Sequence, residues 1–336
     1  MEERKKKISV MIPCYNEEEN VGPMSEAIVN LFETELTAYD YELLFIDNDS
    51  SDRTRLYLRE ICKNNKHIKA IFNAKNFGQF NSPYYAMQQT TGDCTITMVC
   101  DFQDPIELIP QYIKEWENGY RIVIGIKTSS KESKIMYFLR SVYYKLIKKF
   151  SDVEQIEHFT GSGLYDKSFI DVLRDLKDPK PFMRGIVAEL GFKRKEIEYE
   201  QPQRRAGKTH NNFYTLYDAA MLSITSYTKI GLRLATFVGA GVGFLSILVG
   251  IFYFVMKLIM WDDFQAGMAP IVIGMFFLSA VEIFFIGFMG EYILSINERV
   301  MNRPLVVEEE RINFDVDEEL EEHKDANQTN RHGDEE

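Results

Sequence analysis

From Leu234 to Met256 the chain carries no charged residue, and Leu, Val, Phe and Gly dominate. About 20 apolar residues suffice to cross a ~30 Å hydrocarbon core, so the sequence predicts a transmembrane helix over residues 234–257. A second apolar stretch, Phe264 to Met289, contains a single charge, Glu282, and predicts a span over residues 265–290. A carboxylate inside a span is costly unless it meets a partner or polar group. The link from Lys257 to Gly267 holds Asp262 and Asp263, whereas Lys229 and Arg233 precede the first stretch and Arg299 and Arg303 follow the second. Cytosolic flanks are enriched in Lys and Arg. The expected topology is therefore a multi-pass hairpin in the inner or plasma membrane, with both termini cytosolic and the acidic link outside. Two buried core helices are the alternative reading, and the length and uniformity of the first stretch argue against it.

The region before the hairpin alternates short apolar runs with amphipathic ones. Ile8 to Ile12, Tyr41 to Ile46, His67 to Phe72, Thr95 to Val99 and Arg121 to Ile126 read as strands. Glu17 to Leu36, Thr54 to Cys62 and Pro105 to Trp116 read as helices, the last with proline in its first turn. Strand–helix alternation with nearly continuous apolar strands predicts an α/β domain built on a mostly parallel sheet covered on both faces. Residues 1–228 are assigned to this cytosolic domain, 229–300 to the hairpin and 301–336 to a tail. Lys131 to Phe150 mixes Lys134, Arg140, Lys145, Lys148 and Lys149 with aromatic and aliphatic residues. That composition suits a basic helix lying at lipid headgroup level, or alternatively a helix packed on the domain.

Net charge resolves the tail further. The formal value is −12, yet Glu308 to Glu336 holds 13 acidic residues against Arg311, Lys324 and Arg331, which leaves 38 acids and 36 bases elsewhere. A nearly neutral body with a solvated, disordered acidic tail is expected. No nucleic-acid partner is expected of such a charge balance. The four cysteines, Cys14, Cys62, Cys94 and Cys100, lack zinc-ligand spacing and read as free thiols.

Ligands of parallel sheets bind beyond the carboxyl ends of the strands. Three polar clusters fall there: Cys14-Tyr15-Asn16-Glu17, Asp47-Asn48-Asp49-Ser50 and Asp101-Phe102-Gln103-Asp104. Asp101, Gln103 and Asp104 supply hard oxygen atoms suited to Mg²⁺ or Mn²⁺ shared with substrate phosphates. Asp104 before Pro105 also fits a helix N-cap. Arg204-Arg205-Ala206-Gly207-Lys208-Thr209 reads as an anion-binding loop and not a P-loop, since Pro202 stands where that motif needs glycine.

Taken in order, these segments resemble family 2 glycosyltransferases of the GT-A fold. Ile12-Pro13-Cys14-Tyr15-Asn16-Glu17-Glu18 is similar to their opening strand-loop, and Asp47 to Thr54 to their D-D-G-S-x-D-x-T loop. Asn76-Phe77-Gly78, Asp101 to Pro105 and Arg204 to Thr209 follow in the family's order. Gly290-Glu291-Tyr292 through Asn302-Arg303-Pro304 resembles the segment closing the second membrane helix in polyprenyl-phosphate glycosyltransferases. The nearest group is the bactoprenol glucosyltransferase and dolichol-phosphate mannose synthase type. The resemblance implies inverting transfer from a nucleotide diphosphate sugar, a UDP-hexose or UDP-N-acetylhexosamine, to polyprenyl phosphate. It implies that Pro13, Tyr15, Glu17 and Asp47 hold the nucleotide, and that Asp101 and Gln103 ligate Mg²⁺ or Mn²⁺. Asp101, Arg204 and Lys208 become the catalytic group, and Lys127 and Arg140 candidates for the lipid phosphate. Self-association is left open.

Three positions depart from the family pattern. Asn48-Asp49 replaces Asp-Gly, Val99 replaces the first aspartate of D-x-D, and Ser162 stands where many relatives carry aspartate. Val99 and Ser162 keep in view a catalytically weak homologue acting as a membrane scaffold, and an enzyme using another lipid or a saccharide acceptor is the other alternative.

Overall fold

Residues that alternate in the first apolar runs alternate between two cores. In the computed structural model, which describes residues 4–128, 156, 159–205, 217–218, 221–222, 225–226, 230–259 and 268–314, strand β1 spans Lys7–Cys14 and β2 Asp40–Asp47. Ile8, Val10, Ile12, Leu43 and Phe45 face one hydrophobic cluster, and Met11, Leu44 and Ile46 the other. The first cluster is closed by α1 (Val21–Thr34), α2 (Thr54–Asn64) and α4 (Leu108–Glu117). The second is closed by α3 (Gly78–Gln88), α5 (Lys167–Leu176) and α6 (Met183–Glu189). A strand apolar on both faces is stable only when helices cover both, which is what these two clusters accomplish.

The remaining strands are β3 (Ile68–Asn73), β4 (Cys94–Thr97), β5 (Ile122–Lys127), β6 (Phe159–Asp166), β7 (Arg194–Tyr199) and β8 (Glu308–Ile312). They form one sheet in the order β7-β5-β6-β4-β1-β2-β3-β8. All the strands share a direction except β6 and β8, which run antiparallel to their neighbours. This mostly parallel, doubly covered sheet is the expected GT-A arrangement. The chain winds from β1 to β2 to β3 and then returns to lay β4 on the other side of β1, so a crevice opens between the carboxyl ends of β1 and β4. At the seam of β6 and β5, a Cβ on Gly163 would run into the Val123 carbonyl oxygen, so only glycine lets these strands approach.

Two expectations need correction. The acidic segment assigned wholly to a tail contributes β8, which pairs antiparallel with β3 along Ala70↔Ile312 and Phe72↔Glu310. Two of its three carboxylates are met from α2, Glu310 by Arg59 at 2.6 Å and Glu309 by Arg55 at 2.9 Å, and Glu308 pairs with Arg311 on the strand itself. Val306 is buried, and Leu305 and Phe314 pack on the second cluster. The helix expected from Pro105 begins instead at Leu108, and its cap is not Asp104.

The chain divides into two compact units, one holding the sheet and one the long helices. In the second unit, α7 (Ile230–Ile259) and α8 (Met268–Val300) have 30 and 33 residues. At about 1.5 Å per residue, both exceed the thickness of a hydrocarbon core. Thr236–Met256 and Gly274–Val300 have mean hydropathies of 2.2 and 1.7, and neither is buried. Phe244, Leu245, Phe276 and Phe284 all expose more than half their surface, and Ile247, Phe254, Phe277 and Ile283 do the same. The second helix runs past the expected end near residue 290 to Val300. The basic helix expected over 131–150, the link at Asp262-Asp263 and the tail beyond residue 314 lie outside the described residues.

Candidate active site

The loops after β1 and β2 are stitched together by side chains that satisfy each other's backbone. The Asn16 N–H donates to Ser50 Oγ at 2.8 Å, Glu17 N–H to Thr54 Oγ1 at 2.8 Å, and Ser51 N–H to Asn16 Oδ1 at 2.8 Å. Glu18 returns the favour, accepting from Arg53 N–H at 2.9 Å. Serine, threonine and aspartate are suited to this because their short side chains mimic backbone partners. Asn16 and Asp49 both sit at positive φ, 56° and 67°. Aspartate tolerates that region better than most residues, which explains how Asp49 stands where the family has glycine.

Asn48 also has a defined task. Its Nδ2 donates to Asn76 Oδ1 at 3.0 Å, and its Oδ1 accepts from Phe77 N–H and Asn73 Nδ2. It thereby ties the β2 loop to the Asn76-Phe77-Gly78 turn. Asp47 is fully buried beside it. Its Oδ2 accepts from Arg55 Nε at 2.7 Å and Ser50 N–H at 3.2 Å, while its Oδ1 has no partner. Burial alone would lower the Arg55 guanidinium, but hydrogen bonds and charge from Asp47 and Glu309 outweigh it and raise it.

Across the crevice, Asp101 follows β4 and is 4% exposed. Arg204 Nη2 lies 2.8 Å from its Oδ2, Gln103 N–H donates to its Oδ1 at 3.1 Å, and Arg205 N–H donates to its backbone carbonyl at 3.3 Å. Phe102, at φ 61°, turns the loop sharply here, and the Arg205 guanidinium stacks over its ring at 5.2 Å. Burial pushes the Glu17 carboxyl above its ordinary 4.5, and the charge of Asp101 adds to that rise. Asn20 and Arg204 pull the other way. Glu17, Asp101 and Arg204 thus feel one another at the switch point, with Cys14 registered opposite Asp47 on the adjoining strands.

Asp104 leaves this group. It turns inward, accepting from Tyr199 O–H at 2.8 Å and Val99 N–H at 3.1 Å, and is 1% exposed. Burial raises its carboxyl above the usual range. It is a structural brace and neither the expected cap nor a cation ligand. Val99 offers its backbone N–H to that brace, and Ser162 Oγ donates to the Thr97 carbonyl at 3.0 Å, so neither departure supplies an acid or base. Cys14 is equally inert: burial and the adjacent Cys100 push its thiol well up.

Pro13 and Tyr15 are half-buried at the end of β1. Lys127 ends β5, two strands away from β4. Lys208 and Arg140 lie outside the described residues. Among the described residues no group of three or more His, Cys, Asp or Glu gathers around one point. One carboxylate and one amide oxygen, Asp101 and Gln103, fit a divalent cation that completes its shell with phosphate oxygens and water. Sequence reasoning missed Arg55 and Asn73, which meet Asp47 and Asn48 from α2 and β3; only the charge of Arg55, directly after the Asp47–Thr54 loop, hinted at it. A cavity of about 560 Å³ lined by Glu42, His67 and Lys69 opens at the opposite end of the strands, away from these loops.

The sequence profile of glycosyl transferase family 2 matches residues 9–172. The glycosyltransferase YkcC of Bacillus subtilis is 30% identical over 304 residues, covering 89% of this chain and 92% of that one. The bactoprenol glucosyl transferase of Shigella phage SfX is 29% identical over 299 residues, covering 89% of this chain and 97% of its own. Among solved structures, mannosyl-3-phosphoglycerate synthase from Rubrobacter xylanophilus gives a TM-score of 0.47 at 16% identity, over 65% of this chain and 72% of that one.

Proposed function

The chain belongs to glycosyl transferase family 2 and is a glycosyltransferase, and from that premise we propose that it moves a sugar from a UDP-sugar to polyprenyl phosphate. The donor is a UDP-hexose or UDP-N-acetylhexosamine, and the anomeric carbon inverts. The observation that carries the reading is the meeting of Asp101, Arg204 and Glu17 at the switch point, beside the buried carboxylate of Asp47. Similarity to a bactoprenol glucosyl transferase over nearly its whole length supports the lipid acceptor.

Pro13, Tyr15, Glu17 and Asp47 hold the nucleotide. Asp101 and Gln103 would hold Mg²⁺ or Mn²⁺, which when bound would supply positive charge toward the diphosphate. Arg204 and Lys208 bind phosphate oxygens, and Lys127 and Arg140 are the candidates for binding the lipid phosphate. A phosphate monoester has a second pKa of about 6, so the acceptor is largely dianionic near neutrality. Its oxygen attacks the anomeric carbon directly, the bond to the diphosphate oxygen breaks, and the nucleotide diphosphate leaves with the electron pair. No side chain has to remove a proton, which is why serine suffices at position 162. The protein's share is to align the two phosphates and stabilise charge on the leaving group.

The two long helices cross the membrane as a hairpin, with the sheet unit and both termini in the cytosol. Their length, their exposed apolar surface and the flanking Arg299 and Arg303 support this placement. Incubating membranes that contain the chain with radiolabelled UDP-sugars tests the function. Label is expected in a solvent-extractable lipid; label recovered solely in water-soluble saccharide would refute the polyprenyl phosphate acceptor.

A further inference from the structure

Arg55 uses all three guanidinium nitrogens on three different strands. Nε donates to Asp47 Oδ2 at the end of β2, Nη2 to the Asn73 carbonyl at the end of β3 at 2.6 Å, and Nη1 to Glu309 Oε2 on β8 at 2.9 Å. The group lies over the Phe72 ring at 5.6 Å and is 18% exposed. A planar guanidinium with donors on every edge is the side chain that can satisfy three acceptors in fixed directions, and an ammonium cannot.

The consequence falls on Asp47. Both of its structural donors, Arg55 and the Ser50 N–H, are on Oδ2, so Oδ1 is left buried and unpartnered. A buried acceptor without a donor is costly unless a ligand supplies one. The direction in which Oδ1 points is set by the donors on Oδ2, and the Arg55 donor is held in turn by the Asn73 carbonyl and by Glu309. The strand that carries Glu309 is anchored by its ladder with β3, by the Ala74 N–H donating to the Val307 carbonyl at 2.9 Å, and by Asn313 Nδ2 donating to the Cys62 and Ile68 carbonyls at 2.6 and 2.8 Å. In sequence, β8 follows α8 after seven residues, so the strand that returns from the second apolar helix carries the outer partner of this relay.

We propose that Arg55 and Glu309 are positioning residues for the donor nucleotide, the C-terminal strand β8 orienting Asp47 through Arg55. This rests on the reading of Asp47 as a nucleotide-binding residue. It assigns to the returning C-terminal segment a role in donor affinity, in addition to covering the edge of the sheet.

The test is calorimetric titration of the full-length chain in detergent with UDP, together with steady-state kinetics in which each substrate is varied. Arg55→Gln should weaken UDP binding on the order of tenfold, the scale of a lost charge-assisted hydrogen bond. Glu309→Gln should weaken it about threefold, since the Glu309 side chain is itself half-exposed. Arg55→Lys should not restore affinity. The apparent affinity for polyprenyl phosphate should stay unchanged in all three. Glu310→Gln, which breaks the neighbouring pair with Arg59, should leave UDP affinity at the wild-type value. If Arg55→Gln and Glu309→Gln lower thermal stability while UDP affinity holds within about twofold, the relay is a structural clamp and the inference fails. If the wild-type chain binds no UDP, the donor reading itself fails and takes the relay with it.

Discussion

Glu42 sits near the start of β2, at the end of the strands opposite the crevice, and is a 2% exposed carboxylate compensated by two lysines and three hydrogen bonds. Its carboxylate accepts from Ser9 O–H, from Thr91 N–H at 2.6 Å and from Thr91 O–H at 2.8 Å, with the ammonium groups of Lys7 and Lys69 each at 3.1 Å. Burial pushes its carboxyl up, but the two lysines and these hydrogen bonds overcome that and bring it from 4.5 down to about 2. At about 1.4 kcal/mol per pH unit, the difference corresponds to roughly 3 kcal/mol of stability near neutrality. Breaking a buried pair by removing one partner costs about 3–5 kcal/mol, the same scale. Glu42→Gln keeps the volume, removes the negative charge beside the Lys7 and Lys69 ammonium groups and turns an amide donor toward Thr91. For a unit of this size, about 2–4 °C per kcal/mol gives a fall of roughly 10 °C in melting temperature at about pH 7.

The sign with pH follows from the depressed carboxyl. The stabilisation is fully present above the ordinary 4.5 and is lost as pH falls through the folded value near 2. At about pH 3, close to 1.5 kcal/mol of the advantage should remain, so the gap between wild type and variant should narrow by about half. Intrinsic fluorescence melts of both proteins in one detergent, from about pH 7 to about pH 3, measure the gap directly, and the titration of other groups cancels in the difference. A variant melting within a degree of wild type at neutral pH, or a gap of constant width across the range, would refute the reasoning.

Three further outcomes are expected. Asp101→Ala should abolish metal-dependent transfer while leaving the melting temperature within a few degrees, and wild-type rates at limiting metal would show that Asp101 is not the cation ligand. Gly163→Ala drives a methyl into the Val123 carbonyl and should destabilise the sheet unit by about 1–3 kcal/mol; an unchanged melting temperature would mean that β5 and β6 separate at little cost. A cysteine placed at Asp263, in a background without Cys14, Cys62, Cys94 and Cys100, should react with an impermeant thiol reagent from outside intact cells. Protection there until the cells are permeabilised would contradict the hairpin.

Much of this was legible because it is local. The alternation in Ile8 to Ile12 and Tyr41 to Ile46 specifies buried strands whatever lies elsewhere, and the length of the uncharged run from Leu234 specifies a helix able to cross a membrane. Loops holding Glu17, Asp47 and Asp101 fall at strand ends by the same periodicity. Several things were settled by tertiary contact alone. Asp104 read as a helix cap, but Tyr199, 95 positions away, draws it inward. Asn48 read as a departure from a motif, whereas it pairs with a turn nearly 30 residues downstream. Most of all, Glu308 to Glu310 read as the start of a solvated tail, since three consecutive carboxylates repel one another in an isolated chain. Arg55 and Arg59 lie about 250 positions earlier, spaced one helical turn apart on α2. Only when β3 offers an open edge beside that helix do Glu309 and Glu310 find countercharges and a ladder together, with Glu308 paired to Arg311 on the strand itself, and a strand forms where local composition disfavours one.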